Sequence, residues 1–127
     1  MRAVDTNVLV RLVVRDTLHQ VDAADAFVAN GAWVSHLVLA ELSWVLASVY
    51  RRSAKQIAQA IELLLEHREL TLQDEEVVAA ALVQFRRRPR LGFSDCLMLE
   101  VARRAGHLPL GTFDRGLSQL DGAVRLG

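Results

Sequence analysis

Short apolar runs alternate with longer segments of helical period along this chain, and that alternation restricts the fold more than any single residue does. Strands separated by helices pair in parallel, since each crossover returns the chain to the same end of the sheet, and helices then cover the sheet faces. Arg2 to Val4 begins a buried strand that stops at Asp5. Thr17-x-x-Gln20 reads as a capping box opening a helix through Ala29, closed by Asn30-Gly31. Ala32 to Ser35 is a second short strand, followed by a nearly all-apolar helix from His36 to Tyr50. Ser53-x-x-Gln56 is another capping box, and Ile57, Ile61, Leu64 and Leu65 form the buried stripe of its helix. Leu70 to Leu72 suits a third strand. Asp74, Glu75 and Glu76 open a helix that ends in Arg86, Arg87 and Arg88, a charge order that matches the helix dipole. Phe93-Ser94-Asp95 leads into a helix to Ala105 with Gly106 at its end. Leu108 to Thr112 and Ala123 to Leu126 suit the last strands.

A chain of 127 residues is expected to form one domain, and 52% hydrophobic residues can fill one core. Acids and bases balance at 15 each, so composition gives no general excess for binding polyanions. The cations are fourteen Arg and one Lys, Lys55. Arginine's planar fork suits phosphate, although Arg-rich codon usage explains the bias equally well. Cys96 is alone, which excludes an intrachain disulfide and a cysteine zinc site. No run approaches the ~20 apolar residues of a membrane span. With an acid at position 5 and no leading apolar stretch, the expectation is a soluble cytoplasmic protein.

Four carboxylates sit where apolar side chains belong. Glu41 shares its helical face with Leu37, Val38, Trp44, Val45 and Ser48, the face expected to be buried. An ionised carboxylate there is costly unless its charge is compensated. Asp95 shares a face with Met98, Leu99 and Ala102, while Glu100, Arg103 and Arg104 define the polar side. Asp5 ends the first strand and Asp114 follows the Leu108 to Phe113 run. Each has a plainer explanation: Asp5 and Asp114 as turn or N-cap residues, Asp95 as a cap with Ser94, Glu41 as the partner of a buried Arg. Yet strand ends and the following helix starts share one edge of a parallel sheet, the usual ligand edge. Four acids converging there need a cation, and oxygen-only ligands suit Mg²⁺ or Mn²⁺.

The stretches DTNVLVR from Asp5, LAEL around Glu41, FSDCLMLEVARRAG from Phe93 and GTFDRGL from Gly111 resemble a PIN domain. They are most similar to the VapC-type toxins of toxin–antitoxin pairs. The motifs run in order from residue 5 to about 117, and between Tyr50 and Arg90 the likeness extends only to helical character. The resemblance implies a three-layer α/β/α fold with a short, mainly parallel central sheet. It implies a Mg²⁺- or Mn²⁺-dependent endoribonuclease, a homodimer, and inhibition by a small antitoxin protein. It places metal ligation and water activation on Asp5, Glu41, Asp95 and Asp114, with Asn7 and Thr112 as supporting polar residues. The exposed apolar surface for a partner is expected on the helices spanning Thr17 to Ala29 and His36 to Leu65.

Arg11 faces either the acidic pocket or the surface, and Arg86, Arg87, Arg88 and Arg90 either steer an RNA backbone or form a solvated helix end. His19, His36, His67 and His107 lack metal-ligand spacing. Trp33, Trp44 and Tyr50 have apolar surroundings that favour core or dimer interface over stacking on bases. A receiver-like phosphoacceptor domain and a dehalogenase-like phosphatase both need a lysine near the acceptor aspartate, whereas Lys55 opens a helix far from any strand end. A degenerate, purely binding PIN-like module would not need all four acids.

Overall fold

Asp5 closes one element and opens the next, a junction that recurs through the computed structural model, which describes all residues from 1 to 127. Strand β1 (Arg2–Ala3) leads into Asp5, whose Oδ1 accepts a hydrogen bond from the Val8 N–H at 3.1 Å and so caps helix α1 (Thr6–Val14). Sequence reading assigns no element to this stretch. Its four valines are β-branched and favour strands, and it is the aspartate cap and the burial of Leu9, Val10 and Leu12 that make it helical.

Helix α2 (Leu18–Val28) begins at Thr17, but the capping box expected there is not formed. Arg11 Nη1 donates to the Thr17 hydroxyl at 2.9 Å, and the Thr17 side chain makes no capping bond. After β2 (Ala32–Val34), Ser35 caps α3 (His36–Ser48) by accepting from the Val38 N–H. The second expected box is present: Ser53 N–H donates to Gln56 Oε1 at 2.8 Å and Gln56 N–H to Ser53 Oγ at 3.2 Å, opening α4 (Ala54–Glu66). Then come β3 (Leu70–Leu72), α5 (Glu75–Arg87), α6 (Phe93–Ala105) and β4 (Leu110–Thr112). A 3₁₀ turn at Leu117–Gln119 precedes β5 (Ala123–Arg125). Gly106 ends α6 at φ +82°, a left-handed position glycine adopts without strain.

All strand pairing is parallel. β1, β2 and β3 lie in that order, with Arg2 opposite Ala32 and Ala32 opposite Leu70. β4 and β5 pair separately, Leu110 opposite Ala123, so the strands divide between two short sheets rather than one. The architecture is the expected three-layer α/β/α one. Helix α5 packs along α4 and α6, and α3 packs against α1, α4 and α6. Phe85 of α5 meets Phe93 of α6 edge to face, ring centres 6.0 Å apart, which anchors the loop before Asp95. Glu100, expected on the polar side of α6, is instead buried and accepts from Arg103 Nε at 3.2 Å. The reason is its contact face: α6 is covered on one side by α5 and on another by α3.

Candidate active site

The ends of β1 and β2 are neighbours, Val4 N–H donating to the Trp33 carbonyl at 3.2 Å, so Asp5 and the start of α3 occupy one edge of the sheet. Asp5 uses Oδ1 as a cap and its other oxygen accepts no protein hydrogen bond. Capping and ligation are therefore compatible at this residue. Glu41 lies about a turn and a half into α3, and it is exposed. The expectation that its face is buried is wrong. Leu37 is 75% exposed and Trp44 65%, while Leu39, Leu42, Ser43 and Leu46 supply the buried side of α3. Glu41 forms no ion pair, so pairing with a buried Arg is also excluded.

Asp95 is the third residue of α6, where the helix N-terminus favours negative charge. The cap position belongs to Gly92, and no side chain caps this helix. Asp114 follows β4. Its Oδ2 accepts from the Leu117 N–H at 2.7 Å, and its own N–H donates to Thr112 Oγ1 at 3.0 Å. Thr112 thus bonds the backbone of Asp114. Asn7 lies on the exposed side of α1 and lines a cavity with Asp5.

Ion pairing engages six of the fifteen acids, and the four site candidates are among the nine that it leaves without a partner. Asp16, Asp25, Glu62, Glu76, Glu100 and Asp121 all have arginine partners. None of Asp5, Glu41, Asp95 and Asp114 does. Burial, reinforced by the nearby Asp114 charge, pushes the Asp95 carboxyl above the ordinary carboxylate range, and a hydrogen bond with the Gly92 backbone opposes the shift. Asp95 and Asp114 therefore feel one another directly. The convergence of all four acids on one point is not observed: no three His, Cys, Asp or Glu side chains are grouped to hold a common metal ion. Glu41 stands on an open helix face, and Asp5 and Asp114 each commit one oxygen to a backbone cap.

The cations fall into two classes. Arg11 is committed, its Nη1 to Asp16 at 2.7 Å and to Thr17, its Nη2 to the Tyr50 hydroxyl at 2.7 Å. Its side chain is 11% exposed and ties α1 to Tyr50 just beyond α3. Of the two expected settings it takes the pocket one, lining the cavity that holds Asp5 and Asn7. Arg86 pairs with Glu62, and Arg88 donates to Gln119 Oε1. Arg87 and Arg90 have no side-chain partner. With Arg88 they line a cavity that reaches Gly116, two residues beyond Asp114.

Residues 2–123, nearly the whole chain, match the PIN domain family. The chain belongs to that family. PIN domains are generally nucleases and typically use divalent metals. No curated protein matches the chain. Membership removes the receiver and phosphatase readings. No helix of this PIN domain is long and apolar enough to cross a membrane. As a test of the metal, the donor chemistry fits: Mg²⁺ is held by one or two carboxylates, with waters and phosphate oxygens completing its shell. Asp95 and Asp114, hard oxygen donors close enough that the Asp114 charge raises the proton affinity of Asp95, are such a pair. Sequence reasoning missed the exposure of Trp44 and the unpaired cations Arg52 and Lys55. An all-apolar helix gives no sign of which face stays open, and an arginine pair before a cap, Arg51 and Arg52, reads as surface.

Proposed function

We propose that this PIN domain protein is a metal-dependent endoribonuclease that hydrolyses RNA phosphodiester bonds, and that it is the toxin of a toxin–antitoxin pair. The observation that carries the nuclease reading is the uncompensated Asp95–Asp114 pair at the head of α6 in a chain of this family. Asp95 and Asp114 would hold Mg²⁺ or Mn²⁺, with Asp5 and Glu41 as the further acids. When bound, such an ion acidifies a water toward a pKa of ~7 and neutralises charge on the phosphate.

The chain's own residues supply the rest. The Leu117 N–H holds one oxygen of the Asp114 carboxylate, and Thr112 Oγ1 accepts from the Asp114 backbone N–H. Asp95, beside Asp114 and without an arginine partner, would share in activating the attacking water. Arg87 and Arg90 bind backbone phosphates as charges with no competing internal partner. Attack by water on phosphorus, with the 3′ oxygen leaving, yields a 5′-phosphate and a 3′-hydroxyl.

Purified protein incubated with total RNA and Mg²⁺ or Mn²⁺, followed by sequencing of the cut ends, should give 5′-phosphate fragments. Asp95→Asn should give none, and unchanged cleavage in that variant would remove the assignment. The toxin reading rests on the likeness of the four motifs to VapC-type toxins, which also implies a homodimer, a small antitoxin and a cytoplasmic site of action. Expression alone should arrest growth, Asp5→Asn should relieve the arrest, and a neighbouring small gene should yield a stable complex. A protein harmless at high expression yet active on RNA in the tube would leave the nuclease and remove the toxin.

A further inference from the structure

Between the later part of α3, the start of α4 and the loop joining α5 to α6 lies a cleft of about 260 Å³. Trp44, Arg52 and Arg90 line it, and so does Ser94, the residue before Asp95. A second cavity, also about 260 Å³, adjoins it through shared Ala54, Phe85 and Pro89, and brings Lys55 to the same groove. No Asp or Glu lines either cavity, although acids and bases balance across the chain. Arg52, Lys55 and Arg90 have no ion-pair partner. Trp44 keeps 65% of its surface in solvent, on the same helical face as Glu41.

We propose that this cleft is a nucleotide subsite, in which a base of single-stranded RNA beside the cut phosphate stacks on Trp44 while Arg90 and Arg52 hold the flanking phosphates. The proposal rests on the ribonuclease reading above. Three observations select this occupant over an apolar protein segment. The groove carries cations and no acid, as a polyanion requires. Its volume lies below the roughly 300–1,000 Å³ of pockets that enclose drug-sized ligands, which suits one planar base. An exposed indole beside free arginines is the usual platform for single strands, since every base offers a π-face.

The test uses the full chain in chelator and a short dye-labelled single-stranded 2′-O-methyl RNA whose anisotropy gives the affinity of every variant. For a separate quenching measurement, Trp33→Phe makes Trp44 the sole tryptophan. Binding should quench the Trp44 fluorescence. Trp44→Ala should weaken binding about 10-fold or more, and Trp44→Phe should restore most of it. Arg90→Ala should lower the slope of log affinity against log salt by about 1. Because Trp44 is exposed, these variants should keep the parent's melting temperature, and the phenylalanine variant guards against a folding artefact. Wild-type affinity in both Trp44→Ala and Arg90→Ala would overturn the subsite. So would unchanged RNA binding together with conversion of a dimer to a monomer by Trp44→Ala, which would make the cleft an interface between copies. Failure of the unmodified protein to cut any RNA, with the binding results intact, would defeat the nuclease reading and leave the subsite standing.

Discussion

Helices α3 and α4 each have 13 residues and a serine cap, yet they use their apolar side chains in opposite ways. In α4 the residues Ile57, Ile61 and Leu64 fall on one side and are buried, while Lys55, Gln56 and Gln59 face solvent. In α3 apolar residues surround the helix. Leu39, Leu42 and Leu46 are buried, and Leu37 and Trp44 remain open on either side of Glu41 along the chain. A helix with a polar side announces which face it buries. A helix without one leaves that choice to its neighbours, and the apolar surface left over becomes available for binding. Glu41, the α3 acid proposed for the active site, sits on this surplus face.

The largest expected contrast is in activity. Glu41→Gln on α3 should reduce RNA cleavage about 100-fold, since it removes one of the acids proposed for the metal site. Glu66→Gln, an exposed acid of α4, should cut RNA at the unmodified rate. Equal rates in the two variants would remove Glu41 from the active site. Both should melt at the parent's temperature, because neither carboxylate has an internal partner.

The two sides of α3 can be separated by truncation. Leu39→Ala removes a fully buried side chain and should cost about 2–5 kcal/mol in urea unfolding. Leu37→Ala, at a site 75% exposed, should stay within about 0.5 kcal/mol of the parent. Comparable losses would mean that the open face is covered in solution, as in a dimer.

The caps should not distinguish the helices. Ser35→Ala and Ser53→Ala should each cost about 1 kcal/mol, since each hydroxyl accepts one otherwise unpaired N–H at 3.2 Å. A much larger loss for Ser53→Ala would show that the reciprocal Gln56 bond dominates α4.

The smallest effect concerns α6, where the head of the helix carries the Asp95 charge. The folded carboxyl holds its proton more tightly than the unfolded one, so ionised Asp95 lowers stability. Stability should fall as pH rises from the ordinary carboxylate value of 3.8 through the raised folded value. Without metal, Asp95→Asn should therefore melt higher than the parent at neutral pH. The gain should vanish as pH drops below 3.8, and a variant that melts lower at neutral pH would contradict the repulsion with Asp114.

Much of this frame is legible from residues alone, and the failures have identifiable causes. The box at Ser53 forms where Ser53 and Gln56 have no stronger partners. The one read at Thr17 fails because Arg11, six residues earlier in the chain, takes the hydroxyl. Helix α1 was hidden by its valines, whose local preference is outweighed by the Asp5 cap and a buried face. Glu100 looked like a surface acid because it lies one helical turn before Arg103 and Arg104, yet packing against α5 and α3 turns it inward.

The sequence by itself determined the parallel α/β order, the positions of the acids at strand ends and helix starts, and the family. These follow from periodicity, breakers and short motifs, which act over a few residues. Only the tertiary structure decided that Asp95 and Asp114 feel one another while no three acids cluster. It also decided that Arg11 is spent on Tyr50 and Asp16, and that Trp44 stands open beside unpaired arginines. The physical reason is range: side-chain charges act through space, and which of them meet depends on how the helices pack, not on their spacing along the chain.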